Sequence, residues 1–131
     1  MSPLLLTITE QGGYPDLTDR YEAMGLEVMK ATHQRKALKL IKSASPDIVL
    51  AEFIYTPDFR DRIGNLDTLA GQLRVHHPHA RLIVLYEPED RASLDRFKAI
   101  HSVYAELPHP VAAEQLTDTV RAAIDATPPT D

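Results

Sequence analysis

Three short runs, Leu4–Thr9 (LLLTIT), Ile48–Ala51 (IVLA) and Arg81–Tyr86 (RLIVLY), carry apolar or β-branched side chains at nearly every position. A half-exposed strand alternates polar and apolar residues, whereas a strand covered on both faces of a parallel sheet does not. The three runs therefore predict the interior of a parallel sheet, with Ile48–Ala51, entered through the turn formers Ser45-Pro46-Asp47, as its central strand. Neighbouring parallel strands need crossovers of a dozen or more residues. The chain supplies them as helices. Leu17, Tyr21 and Met24 recur at helical spacing behind Asp16 as N-cap, with Gly25 as the stop. Ala37, Leu38 and Ile41 mark a Lys/Arg-rich amphipathic helix ending near Ser43-Ala44. Ile63, Leu66, Leu69, Ala70 and Leu73 form a third stripe that stops at His76-His77-Pro78-His79. Leu94, Phe97 and Ile100 mark a fourth helix, and Leu116, Val120, Ala123 and Ile124 a fifth. Leu26–Ala31 reads as an edge strand and Ser102–Glu106 as a short fifth strand. Strand and helix thus alternate five times. The expected fold is α/β, a (βα)5 doubly wound five-stranded parallel sheet in the order 2-1-3-4-5, which puts the most apolar strands inside.

The 131 residues suffice for one domain with a sizeable core, and residues 1–125 are taken as that domain, with 126–131 a tail or linker stub. A net charge of −5 and a pI near 5.6 argue against nucleic acid or an anionic membrane surface, since neutralising phosphates needs a basic patch. With no cysteine, disulfides, thiolate nucleophiles, Cys-ligated zinc and iron–sulfur clusters are excluded. MSPLLLTITEQ has no basic n-region and only a brief apolar run, so it does not read as a signal peptide; no stretch approaches a membrane span, and the cytoplasm is the expected compartment.

The central run stops at Glu52, which sets one carboxylate at the carboxyl end of the sheet, where open α/β folds place their working groups. With the (βα)5 pattern, PDIVLAE as strand three and His109-Pro110 after strand five, the chain resembles the CheY-like receiver domain of bacterial two-component response regulators, a flavodoxin-like fold, over about residues 4 to 125. The resemblance implies a phosphoryl-accepting aspartate at the end of strand three, where this chain has Glu52. It implies an Mg²⁺-holding acidic pair after strand one, where Thr9-Glu10 offers one carboxylate, and a Ser or Thr after strand four, where Tyr86 stands. It also implies a Lys before a proline after strand five, where the chain has His109-Pro110, a bond expected to be cis. The family's switch aromatic would fall on Glu106, with Tyr104 two residues earlier. Every active position departs from the pattern. Mg²⁺ demands near-octahedral oxygen coordination, and without cation and lysine the charge on a transferring phosphoryl group goes unstabilised.

A degenerate receiver follows: no enzyme, no cofactor, no metal, a signalling module independent of phosphorylation that works through a protein partner or output domain. The resemblance places its contact face on helix four, strand five and helix five, with Tyr104, Leu107 and Val111, and this face could also form a homodimer. Phe97 on the same elements is assigned to the core. Glu52 then reads either as a permanent substitute for an acyl phosphate paired with His109, or as a solvated strand end beside a turn proline. Two alternatives remain. One is a flavodoxin-like ligand or cofactor site in the crevice of Thr9, Glu10, Glu52 and Tyr86. The other is a receiver phosphorylated at a displaced acid, Asp58. The Thr7–Gly13 segment only faintly matches a flavin phosphate loop, because Glu10 would repel the phosphate. The histidines at 76, 77 and 79 read as a solvated helix end rather than a metal site, with Pro78 breaking the helical spacing, and Arg35, Lys36, Lys39 and Lys42 as a solvated helix face.

Overall fold

A computed structural model describes residues 3–10, 16–54 and 66–126. The elements are β1 (Leu4–Ile8), α1 (Thr18–Ala23), β2 (Glu27–Ala31), α2 (Gln34–Ser43), β3 (Ile48–Glu52), α3 (Asp67–His76), β4 (Arg81–Tyr86), α4 (Arg91–Ile100), β5 (Ala105–Pro108) and α5 (Ala113–Ala126). The strands form one parallel sheet in the order β2-β1-β3-β4-β5. Both are as the sequence predicts. The expected tail beyond Ala126, the glycines at 12 and 13, Asp58 and Ile63 lie outside the described residues.

Alternate side chains of each strand serve opposite helix layers, as the two-residue period of a strand requires. Leu6, Ile8, Val49, Ala51, Leu82 and Val84 pack with α2, α3 and α4. Leu5, Ile48, Leu50, Ile83, Leu85 and Leu107 pack with α1 and α5. Every residue of β3 is buried, which is why its sequence shows no alternation. Each fully buried aliphatic side chain contributes about 1.5–3 kcal/mol relative to exposure.

Local signals end the elements where they should, with small shifts. Asp16 caps α1 from outside: its carboxylate accepts from the Thr18 N–H (3.1 Å) and hydroxyl (2.5 Å) and pairs with Lys30 (3.0 Å), so its pKa falls to about 2, chiefly through the Thr18 hydroxyl. Gly25 stops α1 at φ 92°, a conformation that an L side chain rarely adopts. Leu26 is buried in the turn rather than paired in β2. The fifth strand is Ala105–Pro108, later than the predicted Ser102–Glu106. Val103 and Tyr104 have strand-like side chains, but the ladder with β4 begins at Ala105 opposite Ile83. Ile100, expected in the buried stripe of α4, is 60 % exposed because the helix ends there, past the reach of the core; Phe97 is fully buried, as expected.

Candidate functional site

The carboxyl edge of the sheet gathers the residues singled out in the sequence. Glu52 ends β3 opposite Leu85, and one step beyond the Ile8–Ala51 pair Thr9 leaves β1 with its N–H on the Ala31 carbonyl (2.9 Å). Tyr86 ends β4, and the His109 N–H donates to its carbonyl (2.9 Å) just before the His109-Pro110 bond, which is cis. Thr9 and Glu10 are half-buried, and so is His109. Glu52 is 4 % exposed, so the carboxylate is withdrawn from bulk water and the solvated-strand-end alternative does not hold. β4 lies between β3 and the chain after β5, which puts the backbones of Glu52 and His109 roughly 10 Å apart.

Parity divides this edge. Glu52 shares the face of Ile48 and Leu50, toward α1 and α5, whereas Tyr86 belongs to the core under α2, α3 and α4. Glu106 pairs with Val84 in the ladder and so shares the face of Tyr86. Arg91, the first residue of α4, joins the two: its guanidinium donates to the Tyr86 hydroxyl (3.1 Å), lies 5.5 Å from the ring centre, and pairs with Glu106 (2.7 Å) and Asp95 (3.1 Å). Lys98 reaches Glu106 from the next turns of α4 (2.5 Å). Burial works to raise the Glu106 pKa, but Lys98 and Arg91 outweigh it and hold the carboxyl below its ordinary range. The Arg91 pKa is raised, by the Tyr86 hydroxyl first and then by Glu106. The clamp was not foreseen from the sequence, because 15 positions separate Arg91 from Glu106 and only the β4–β5 register sets them together.

Sequence comparison finds no match, either to a family model or to a curated protein. Solved structures do match. A response regulator receiver domain protein from Clostridium thermocellum superposes with a TM-score of 0.68 at 22% identity, covering 94% of both chains. The non-phosphorylated HemR receiver domain from Leptospira biflexa gives 0.73 at 20% identity, over 98% of this chain and 99% of that one. The signal receiver domain of an HD domain-containing protein from Pseudomonas fluorescens Pf-5 gives 0.72 at 19%, over 97% and 98%. The fold is that of a receiver domain.

In the structure Glu52 ends β3, Thr9-Glu10 follow β1, Tyr86 ends β4 and His109-Pro110 follow β5. Of the expected acid pair, Thr9-Glu10 brings one carboxylate toward an Mg²⁺ site. Among the described residues no three His, Asp, Glu or Cys side chains converge as metal ligands. The turn after β4 adds further negative charge, and the Asp90 pKa is raised by burial first and by Glu87 second. The contact face is altered too. Leu107 and Val111, expected on it, are 7 % and 8 % exposed, because the α1/α5 core claims both. Of the three, Tyr104 alone reaches the surface, at 36 %. The face instead presents the ions Arg91, Asp95 and Lys98 around Glu106.

Among the described residues a cavity of about 230 Å³ lies among Thr7, Thr9, Tyr21, Lys30 and Leu50 and shares Thr9 with the expected crevice of Thr9, Glu10, Glu52 and Tyr86. The histidines after α3 diverge: His76 meets Gln72 (3.0 Å) and His77 meets the Ile41 carbonyl (2.6 Å).

Proposed function

We propose that the chain is a non-catalytic receiver-like signalling module that works through protein contact and does not depend on phosphorylation. The observation that carries this reading is the clamp on α4. In the resemblance, the residue after strand four contacts the phosphoryl group and the strand-five aromatic moves with it. Here those places hold Tyr86 and Glu106, and Arg91 ties one to the other, with Lys98 closing on the same carboxylate. An ion pair between two fixed strands and a helix resists the rearrangement that phosphorylation would drive. The parity that turns Tyr86 away from Glu52 supports the same reading, as does an acid pair reduced to Glu10 alone. The structural neighbours, which are named as response regulator and signal receiver domains, support a signalling role.

The test is intact-mass analysis after incubation of the full chain with acetyl phosphate and Mg²⁺. The expected result is no change. A gain of about 80 Da, one phosphoryl group carrying close to two negative charges, would overturn the reading if Glu52→Gln removed it. Removal by Asp58→Asn would assign the acceptor to that residue instead.

A further inference from the structure

The amino edge of the sheet, opposite the candidate site, is built differently. Here α3 and α4 end and the chain returns to the sheet through His77–Ala80 and His101–Tyr104. Among the described residues the exposed large apolar side chains are Val75 (71 %), Ile100 (60 %) and Tyr104 (36 %). Val75 lies in the last turn of α3, Ile100 ends α4, and Tyr104 precedes β5, so all three belong to this one end. Two concavities of about 240 and 70 Å³ open at the same end and share Pro78, Ala80, Leu82 and Ser102 in their walls; Tyr104 lines the larger, and Arg74 lines the smaller. Arg81 stacks its guanidinium 5.6 Å from the Tyr104 ring centre, forming a flat side to the larger one.

The charge here is opposite to that of the whole chain. From Thr68 to Tyr86, and again from Arg96 to Ala105, there is no Asp or Glu, while Arg74, Arg81 and Arg96 and the histidines 76, 77, 79 and 101 fall within those segments, besides Lys98, which is paired with Glu106. Two acids of this region are engaged: Asp67 faces His101 at 3.4 Å, and the Asp47 carboxylate accepts from the Leu4 N–H at 2.8 Å. Hollows walled by Arg74 and Arg81 with no carboxylate, at an end of the sheet that also exposes Val75 and Ile100, are complementary, on a chain of net charge −5, to a segment that is anionic and carries apolar side chains.

We infer that this α3–β4/α4–β5 end is a docking surface for an acidic, apolar-bearing segment of a partner protein, whose aliphatic or aromatic side chains cover Val75 and Ile100 while its carboxylates face Arg74 and Arg81. Nucleic acid fits less well, because exposed aliphatic side chains gain nothing against phosphates and the net charge of the chain opposes a polyanion. The surface requires the chain to act by contact but is indifferent to whether Glu52 accepts a phosphoryl group.

The test uses the full chain, ¹⁵N-labelled, titrated with a 16-residue peptide alternating Asp/Glu with Leu/Phe, the same peptide with Lys for each acid, and a 16-nucleotide single-stranded DNA. The expected result is saturable shifts confined to residues 74–81 and 100–104 with the acidic peptide alone, weakened at least tenfold by Arg74→Glu and by Ile100→Asp. Both positions are exposed, and unchanged melting temperatures identify folded variants. No shifts at this end, equal shifts from the DNA, or binding untouched by both substitutions would overturn the inference. No phosphoryl donor is present, so such a failure leaves the reading of Glu52 intact, and phosphorylation at Glu52 would leave the peptide result intact.

Discussion

The two edges of the sheet have opposite characters. At the carboxyl edge Glu52 is drawn into the protein and the α4 side is held by fixed ion pairs among Arg91, Glu106 and Lys98. At the amino edge the apolar groups Val75, Ile100 and Tyr104 stand in water, and open hollows lie at the same end. Receiver folds are expected to do chemistry at the first edge. In this chain ion pairs tie that edge, and the exposed apolar side chains lie at the other. On the reading proposed above, chemistry and recognition depend on different ends of the same strands, so the one can be lost without the other.

Phe97 offers the most forceful way to break the contrast, since its ring packs at 5.5 Å on Phe53 beside Glu52 and at 4.6 Å on His101 at the far edge. Phe97→Ala should cost about 3–5 kcal/mol, by the cavity and transfer cost of a buried aromatic. Chemical denaturation measures it, and a cost below about 1 kcal/mol would mean that the edges do not share one core. Glu106→Gln comes next. A partly exposed network of this kind contributes about 1 kcal/mol, lowering the melting temperature by about 4 °C, and less at high salt.

The same variant sharpens the comparison through pH. Because the Glu106 carboxyl is held below its ordinary value of 4.5, its contribution is complete above that pH and is lost as pH falls through the lowered value. Asp90, whose pKa is raised, works in the opposite sense and favours the folded state as it protonates. Thermal melts between pH 7 and 3 should show a shallower acid decline in Glu106→Gln than in the parent, and parallel curves would remove the clamp from the account. The smallest effect is expected at the other edge. Val75→Asp should change stability by less than about 0.5 kcal/mol, as for an exposed position without structural partners; a larger loss would show that Val75 supports the fold rather than offering surface.

The sequence reveals the strands that are buried on both sides. β1, β3 and β4 announce themselves by unbroken apolar runs, and their parallel order follows. β5 is less legible, since it has four residues, ends in a proline and lies at an edge, so Val103 and Tyr104 outside the ladder look more strand-like than Pro108 within it. The site positions were legible because each lies just beyond a recognisable strand. Their electrostatics were not. The Arg91–Glu106 pair depends on a strand register, and the fate of Leu107 and Val111 depends on α5 closing over them, neither of which local pattern encodes.

One modest residue bears on how the exposed edge would meet a partner. Asp47 exchanges backbone and carboxylate hydrogen bonds with Leu4, and its carbonyl accepts the Arg81 N–H (2.9 Å), so the starts of β1, β3 and β4 are tied at a single point. A ligand arriving there would meet a floor already in its final shape. Little ordering entropy would be lost on association, so the free energy of contact would go into residence time rather than into assembling the receptor.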